Sequence, residues 1–199
     1  MQNLFPNEPQ LNLPDSTISY YPDFITKKIA NNLFEALRHK VPWQQENIKV
    51  FGKIYPQPRL IALYGNNGKP YSYANISMQP NEFTPELLDL KQSIETKTTA
   101  IFTTCLLNLY RNGKDSNGWH SDNEKELGKN PVIASITLGQ ERFFHLKHRS
   151  KKDQKHKILL AHGSLLLMQG ETQHHWLHQI PKTAKPIKER INLTFRVIK

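Results

Sequence analysis

Trp119-His120-Ser121-Asp122 places a histidine and an aspartate two residues apart. In an extended chain that spacing turns both side chains to one side. An imidazole and a carboxylate on one side can share a divalent metal, and a second histidine would complete the two-histidine, one-carboxylate face that leaves open positions on iron(II). The candidates for it are His174, His175 and His178. If residues 174–178 are extended, His174 and His178 share a face and His175 lies on the other. His162, beside Gly163, is expected to serve a turn or the core instead.

A second set of polar residues closes the chain. From Arg190 to Val197 polar and apolar residues alternate, so Arg190, Asn192, Thr194 and Arg196 point to one side and Ile191, Leu193, Phe195 and Val197 to the other. A surface strand with its polar side in water would look like this. So would a row of donors built for a dicarboxylate or a phosphate. Asn108 and Tyr110, two apart at the end of an apolar strand, form another polar pair on one face.

These residues need a scaffold that faces strands toward one another. Beyond Ala100 the pattern is strand and turn: 102–110, 132–138, 142–146, 157–160, 164–168, 176–179 and 190–198 all read as extended, giving an all-β sandwich or barrel. The first hundred residues are mixed. Asp23 is placed to cap an amphipathic helix carrying Ile25, Ile29, Leu33 and Leu37, which Pro42 ends. Thr84-Pro85 starts a second helix with Leu87, Leu90 and Ile94 on one face. Short aromatic strands, 50–53, 59–64 and 71–76, lie between, and the first fifteen or so residues read as an irregular arm.

The chain of 199 residues is long enough for one domain with a real core. It shows no membrane span and no signal peptide, and Cys105 is its only cysteine, which excludes an internal disulfide or a cysteine–zinc cluster. A reducing compartment is expected: cytoplasm beside the nucleoid in a bacterium, nucleus in a eukaryote. The net charge of +10 points to a polyanionic partner. Between Arg142 and Lys157 there are seven Lys/Arg against Asp153 alone. A solvated loop tolerates such a run, and a loop along a phosphate backbone requires it.

Asn108-x-Tyr110, His120-x-Asp122, Ala161-His162-Gly163-Ser164, His178 and Arg190-x-Asn192-x-Thr194-x-Arg196 together resemble the AlkB family of nucleic-acid dealkylating dioxygenases, in the family's order and over most of the chain. The resemblance implies an α+β, mainly β fold: a double-stranded β-helix (jelly roll) over residues 101–199, with N-terminal helices and a nucleotide-recognition lid over 1–100, in one domain. It implies iron(II) held by His120, Asp122 and His178. It also implies 2-oxoglutarate held by Asn108, Tyr110, Arg190, Asn192, Thr194 and Arg196, with Arg196 on the metal-proximal carboxylate and Arg190 on the distal one.

The implied reaction is oxidative demethylation of 1-methyladenine and 3-methylcytosine in DNA, releasing formaldehyde and succinate. By the same resemblance Tyr71 and Tyr73 meet the flipped base, Tyr73 sandwiching it with His120, and Glu124 favours its positive charge. Each has a plainer reading, a buried aromatic pair for the tyrosines and an exposed turn acid for Glu124. Val50-Phe51-Gly52-Lys53 resembles the apolar finger of the double-strand-specific members, unless Phe51 is core. Lys147, Arg149, Lys151 and Lys152 would then grip phosphates. A monomer on duplex DNA is expected. The alternatives are a non-catalytic nucleic-acid reader on the same scaffold and a demethylase of RNA or protein.

Overall fold

The computed structural model describes residues 9–50, 52–73 and 76–199. Phe51 lies outside the described residues, as do the side chains of Val50, Tyr71 and Tyr73.

Strands β1 (Gln10–Leu11) and β2 (Thr17–Tyr21) precede helix α1 (Lys27–Lys40). A hairpin of β3 (Asn47–Val50) and β4 (Lys53–Pro56) leads to β5 (Leu60–Gly65), and a second hairpin pairs β6 (Tyr71–Tyr73) with β7 (Ile76–Met78). After α2 (Pro85–Glu95) come β8 (Thr104–Tyr110), β9 (Asn117–His120), β10 (Ile133–Gly139), β11 (Arg142–His148), β12 (Lys155–Leu160) and β13 (Leu165–Gln169). The one-turn helix α3 (Thr172–His175), β14 (Trp176–Ile180) and β15 (Arg190–Arg196) complete the chain.

The large antiparallel sheet has the order β1-β2-β13-β10-β15-β8-β5 and the small one β12-β11-β14-β9. From β8 onward the chain passes back and forth between these sheets, with only β11 and β12 consecutive in one of them. That is a jelly roll. Helices α1 and α2 cover the outer face of the large sheet. Ala30, Leu37, Leu87, Leu90 and Ile94 pack there against Leu107, Leu109, Ile136, Leu193 and Phe195. The second core, with Leu106, Ile133, Phe144, Leu146, Leu160 and Ile180, lies between the two sheets.

Several boundaries differ from the sequence reading. Thr26, not Asp23, caps α1 by accepting the Ile29 N–H at 3.4 Å, whereas Thr84 caps α2 as expected. Residues 50–53 are the tip of a hairpin rather than a strand, since Val50 pairs with Lys53 and Gly52 has φ 79°. The expected strand 71–76 is two strands turned back on each other. The N-terminal arm contributes β1 and β2 to the large sheet, because pairing with β13 satisfies backbone groups that composition alone cannot place.

The turn containing His162 and Gly163 ties α1 to the sheet. His162 accepts the Gly139 N–H through Nδ1 at 2.8 Å, and its Nε2 meets Asn31 Oδ1 at 3.0 Å, so it is a turn histidine. Gly163 adopts φ 85°, and a Cβ there would sit 2.8 Å from the Ile25 carbonyl oxygen. Gly163→Ala is therefore expected to destabilise the fold by about 2 kcal/mol or more through backbone strain and that clash, read as a lower urea midpoint.

Candidate active site

The alternation of β15 runs between two buried layers. Ile191, Leu193 and Phe195 enter the core under the helices, while Arg190, Asn192, Thr194 and Arg196 line a cavity of about 290 Å³ between the sheets. All four polar residues are buried, so the surface-strand reading does not apply. Register extends the polar row sideways: Tyr110 pairs with Arg190 and Asn108 with Asn192 across β8, and Thr137 and Ser135 pair with Asn192 and Thr194 across β10.

His120, Asp122 and His178 meet at the mouth of this cavity, their ligand atoms within 4.8 Å of one another. His120 pairs with His178 across β9 and β14, and their rings stand edge to face at 4.2 Å. Asp122 follows the end of β9, and its backbone N–H donates to Gln173 Oε1 at 2.9 Å. Arg196 Nη2 donates to Asp122 Oδ1 at 2.7 Å. Burial alone would raise the Asp122 pKa, but the Arg196 charge, helped by His178 and His120, holds it below the usual carboxylate value.

The His178 pKa is displaced to about 3, by burial first and then by the His120 charge, so its ring is uncharged at neutral pH, the form a metal would need. His120 Nδ1 donates to the Gly118 carbonyl at 2.7 Å, which leaves Nε2 the lone pair a metal would need; in this structure Nε2 accepts from Asn117 Nδ2 at 3.1 Å. Phe144 stacks on His178 at 5.0 Å and fixes its ring.

The other histidines are engaged elsewhere. His174 and His175 sit on α3, not on a strand, so the alternation argument does not apply to them. His174 Nε2 meets Asn130 Oδ1 at 2.8 Å. His175 joins Asp15 and His148 in another cluster with ligand atoms within 4.8 Å. There, His148 Nδ1 accepts the Ser150 and Lys151 backbone N–H groups at 3.2 and 3.1 Å, so its proton is on Nε2, facing Asp15 Oδ2 at 3.0 Å. A ring in that tautomer is a poor metal ligand, because a coordinating histidine ordinarily donates through its other nitrogen.

Arg190 has the chemistry of an anion anchor. It is only 1% exposed, its Nη2 donates to Thr137 Oγ1 at 2.9 Å, and its guanidinium lies 5.2 Å from the Tyr110 ring centroid. Its Nε and Nη1 are buried, and no carboxylate pairs with the guanidinium among the described residues. Burial pulls its pKa down to about 10, with Tyr110 opposing and Arg142 reinforcing. Arg196, expected on the cosubstrate, donates to Asp122 in this structure. Asn192 donates to Ser135 Oγ and to the Ile136 carbonyl, and accepts from Thr194.

One cavity residue, Arg59, and one residue behind the site, Gln173, escaped the sequence reading. Arg59 is buried and donates to Asn108 Oδ1 at 2.7 Å and to the Ser116 carbonyl at 3.1 Å. Gln173 is fully buried and orients Asp122 through its N–H. Neither lies in a recognisable local pattern. Glu124 lines the cavity with a buried Oε2 that no donor in the described residues reaches, which favours the pocket over the exposed turn.

The basic stretch divides. Arg142 is buried, donating to the Asp115 and Pro181 carbonyls, so it belongs to the interior and not to a phosphate grip. Lys147 Nζ lies 4.3 Å from the Trp119 ring centroid. Arg149 Nη2 donates to Ser121 Oγ at 2.7 Å, between the two ligands His120 and Asp122. Lys151 pairs with Asp15, and Lys152 is exposed at the hairpin tip, as Lys53 is at the other.

Residues 17–196 match the 2OG-Fe(II) oxygenase superfamily. The chain is 42% identical to the alpha-ketoglutarate-dependent dioxygenase alkB homolog 3 of Bos taurus, over 92% of this chain and 66% of that protein. It is 32% identical to the human DNA oxidative demethylase ALKBH2, over 89% of this chain and 72% of that one. Among solved structures it superposes on OsALKBH1 with TM-score 0.59 at 16% identity, covering 94% of this chain and 99% of that one. The chain thus spans slightly under two thirds of the alkB homolog 3 relatives. A buried His-Asp-His face beside an arginine-lined cavity, on a jelly roll with these relatives, places this chain in the 2OG-Fe(II) oxygenase superfamily, among its AlkB homologues.

Proposed function

We propose that this protein is an iron(II)- and 2-oxoglutarate-dependent dioxygenase that removes N-methyl groups from bases in DNA. The observation that carries the reading is the pairing of a metal-competent triad with a buried Arg190 that has no carboxylate partner among the described residues, in one cavity. His120, Asp122 and His178 would hold the iron. Arg190, with Tyr110 beside it and Asn108 positioned by Arg59, would hold the distal carboxylate of 2-oxoglutarate. Bound together with dioxygen, these groups supply an oxidant for a methyl C–H bond.

The protein's own part is positioning. Arg196 and Gln173 hold Asp122 in one orientation, and Phe144 and the β9–β14 pairing hold the two imidazoles. Glu124, with an unpaired buried oxygen, offers a negative charge to a cationic base such as 1-methyladenine or 3-methylcytosine. That base must leave the stack to reach the cavity, and Tyr71 and Tyr73 are assigned to meet it. Hydroxylation of the methyl group gives an adduct that releases formaldehyde and restores the base. We assign duplex DNA as the substrate form, supported by the pairing of Val50 with Lys53, which puts these residues at the end of a hairpin with Lys53 exposed.

The test is formaldehyde release from methylated duplex DNA, single-stranded DNA, RNA and methylated peptide in parallel, with and without iron(II) and 2-oxoglutarate. Release dependent on both, and greatest on DNA, is expected. A folded, iron-loaded protein inactive on every nucleic acid would end the reading. Phe51→Ala is expected to slow turnover on duplex DNA about tenfold or more while leaving single-stranded turnover within about twofold. Equal losses on both would remove the wedge role.

A further inference from the structure

We infer that the outer face of the small sheet is a docking surface for an unpaired DNA strand, distinct from the cavity and from the hairpin tips. This deepens the DNA reading above and rests on it for the class of occupant. The inner face of β9, β11, β12 and β14 packs into the core between the sheets, while the outer face is covered by neither helix nor strand among the described residues. None of these four strands contains an acidic residue.

What that face carries instead is aromatic and cationic. Phe143 is 54% exposed and pairs directly with Leu159, 42% exposed, across β11 and β12. Trp119 on β9 is 40% exposed although Lys147 lies over its ring. Exposed rings on one sheet face, interleaved with cations, suit an interaction site for an anionic partner that also presents flat apolar groups. Lys155 pairs with Lys147 and Lys157 with His145, so both exposed β12 lysines stand on the same face as Phe143. Like charges directly opposite across a ladder are destabilising, and the Lys147–Lys155 pair is relieved when an anion lies over it.

The recurring solution for binding unpaired nucleic acid is a sheet or groove with aromatic rings for bases and cations for phosphates. This face has both. Phe143 lies four residues from Lys147, about 13 Å along the strand, a span of a few nucleotides. Trp119 lies on β9, the edge strand of the small sheet, and the next residue, His120, turns its side chain into the cavity, so a strand lying over the indole has one sheet edge to round before it meets the site. A paired duplex hides its base faces and cannot stack here. A lesion at a junction between paired and unpaired DNA would therefore meet both this face and the 50–53 hairpin.

The experiment uses metal-free protein and unmodified DNA, so binding is read apart from turnover. Wild-type protein is titrated with a twelve-nucleotide oligothymidylate and with a blunt duplex of the same length, following tryptophan fluorescence and affinity. Oligothymidylate is expected to quench the fluorescence, and Trp119→Phe to remove most of the quenching, since Trp176 is buried and Trp43 packs half-buried against the core on the helix side of the large sheet. Lys155→Glu with Lys157→Glu, two exposed positions that spare the fold, is expected to weaken oligothymidylate binding about tenfold or more and to flatten its salt dependence. Blunt-duplex affinity should change less than twofold. Equal weakening of both ligands, no weakening, or no quenching in the wild type would overturn the assignment. So would tighter binding of an oligouridylate of equal length, which would make RNA the occupant. A protein that binds oligothymidylate here yet never demethylates DNA would lose the catalytic reading and keep this one.

Discussion

Replacing Arg190 with methionine is expected to lower 2-oxoglutarate affinity about 100-fold or more while leaving the fold more stable. Both effects have one cause. Arg190 is 1% exposed, its partners are the Thr137 hydroxyl and Tyr110, and no carboxylate pairs with it among the described residues. A buried cation without a carboxylate partner opposes folding, and burial pulls its pKa from the ordinary arginine value down to about 10. The sign follows: the penalty is fully present below about pH 10 and is relieved as pH rises from there toward the ordinary arginine value. Methionine, similar in length and apolar, is expected to raise stability by on the order of 1–3 kcal/mol.

A dicarboxylate supplies the missing anion, so 2-oxoglutarate should raise the melting temperature of the wild type and leave that of Arg190→Met unmoved. Losing one partner of a buried charged pair costs about 2–5 kcal/mol of binding, the source of the expected affinity loss. Calorimetric titration anaerobically, with manganese(II) in place of iron, and urea unfolding without ligand check the two halves. An unchanged 2-oxoglutarate affinity would remove Arg190 as the anchor.

Asp122→Ala is expected to reduce turnover roughly 10³-fold or more, since it removes a ligand from the metal that supplies the chemistry, and also to weaken the fold. Asp122 is the anionic partner of buried Arg196, at 2.7 Å. Breaking a buried pair from one side costs about 3–5 kcal/mol because the other charge stays behind. Asp122→Ala with Arg196→Met removes both charges and is expected to recover most of the stability and none of the turnover, a result that a general loss of structure cannot produce. In the wild type the depressed Asp122 pKa contributes stability above the ordinary value of 3.8, lost as pH falls further.

The parts of this site that were legible in the sequence are those governed by local periodicity. Alternation from Arg190 to Val197 correctly separated cavity from core because a strand between two buried layers still obeys a period of two. The same rule misjudged the surroundings of His178. Residues 172–175 close a helical turn, and nothing in Thr-Gln-His-His announces that. Arg59 and Gln173 were invisible for another reason: their partners lie 49 and 51 residues away, and register between distant strands decides such contacts. The basic run from 142 to 157 looked uniform as a string. A hairpin separates it into a buried arginine, a site-facing Arg149 and three lysines on an open sheet face, because alternate residues face opposite ways.

The most direct test is the rate of succinate formation from 2-oxoglutarate by the iron-loaded protein before and after adding a duplex with a single 1-methyladenine. A marked rise, with one formaldehyde released per succinate above background and none with unmodified duplex, is the predicted result. A succinate rate indifferent to the methylated base, in protein shown to bind both iron(II) and 2-oxoglutarate, would contradict it.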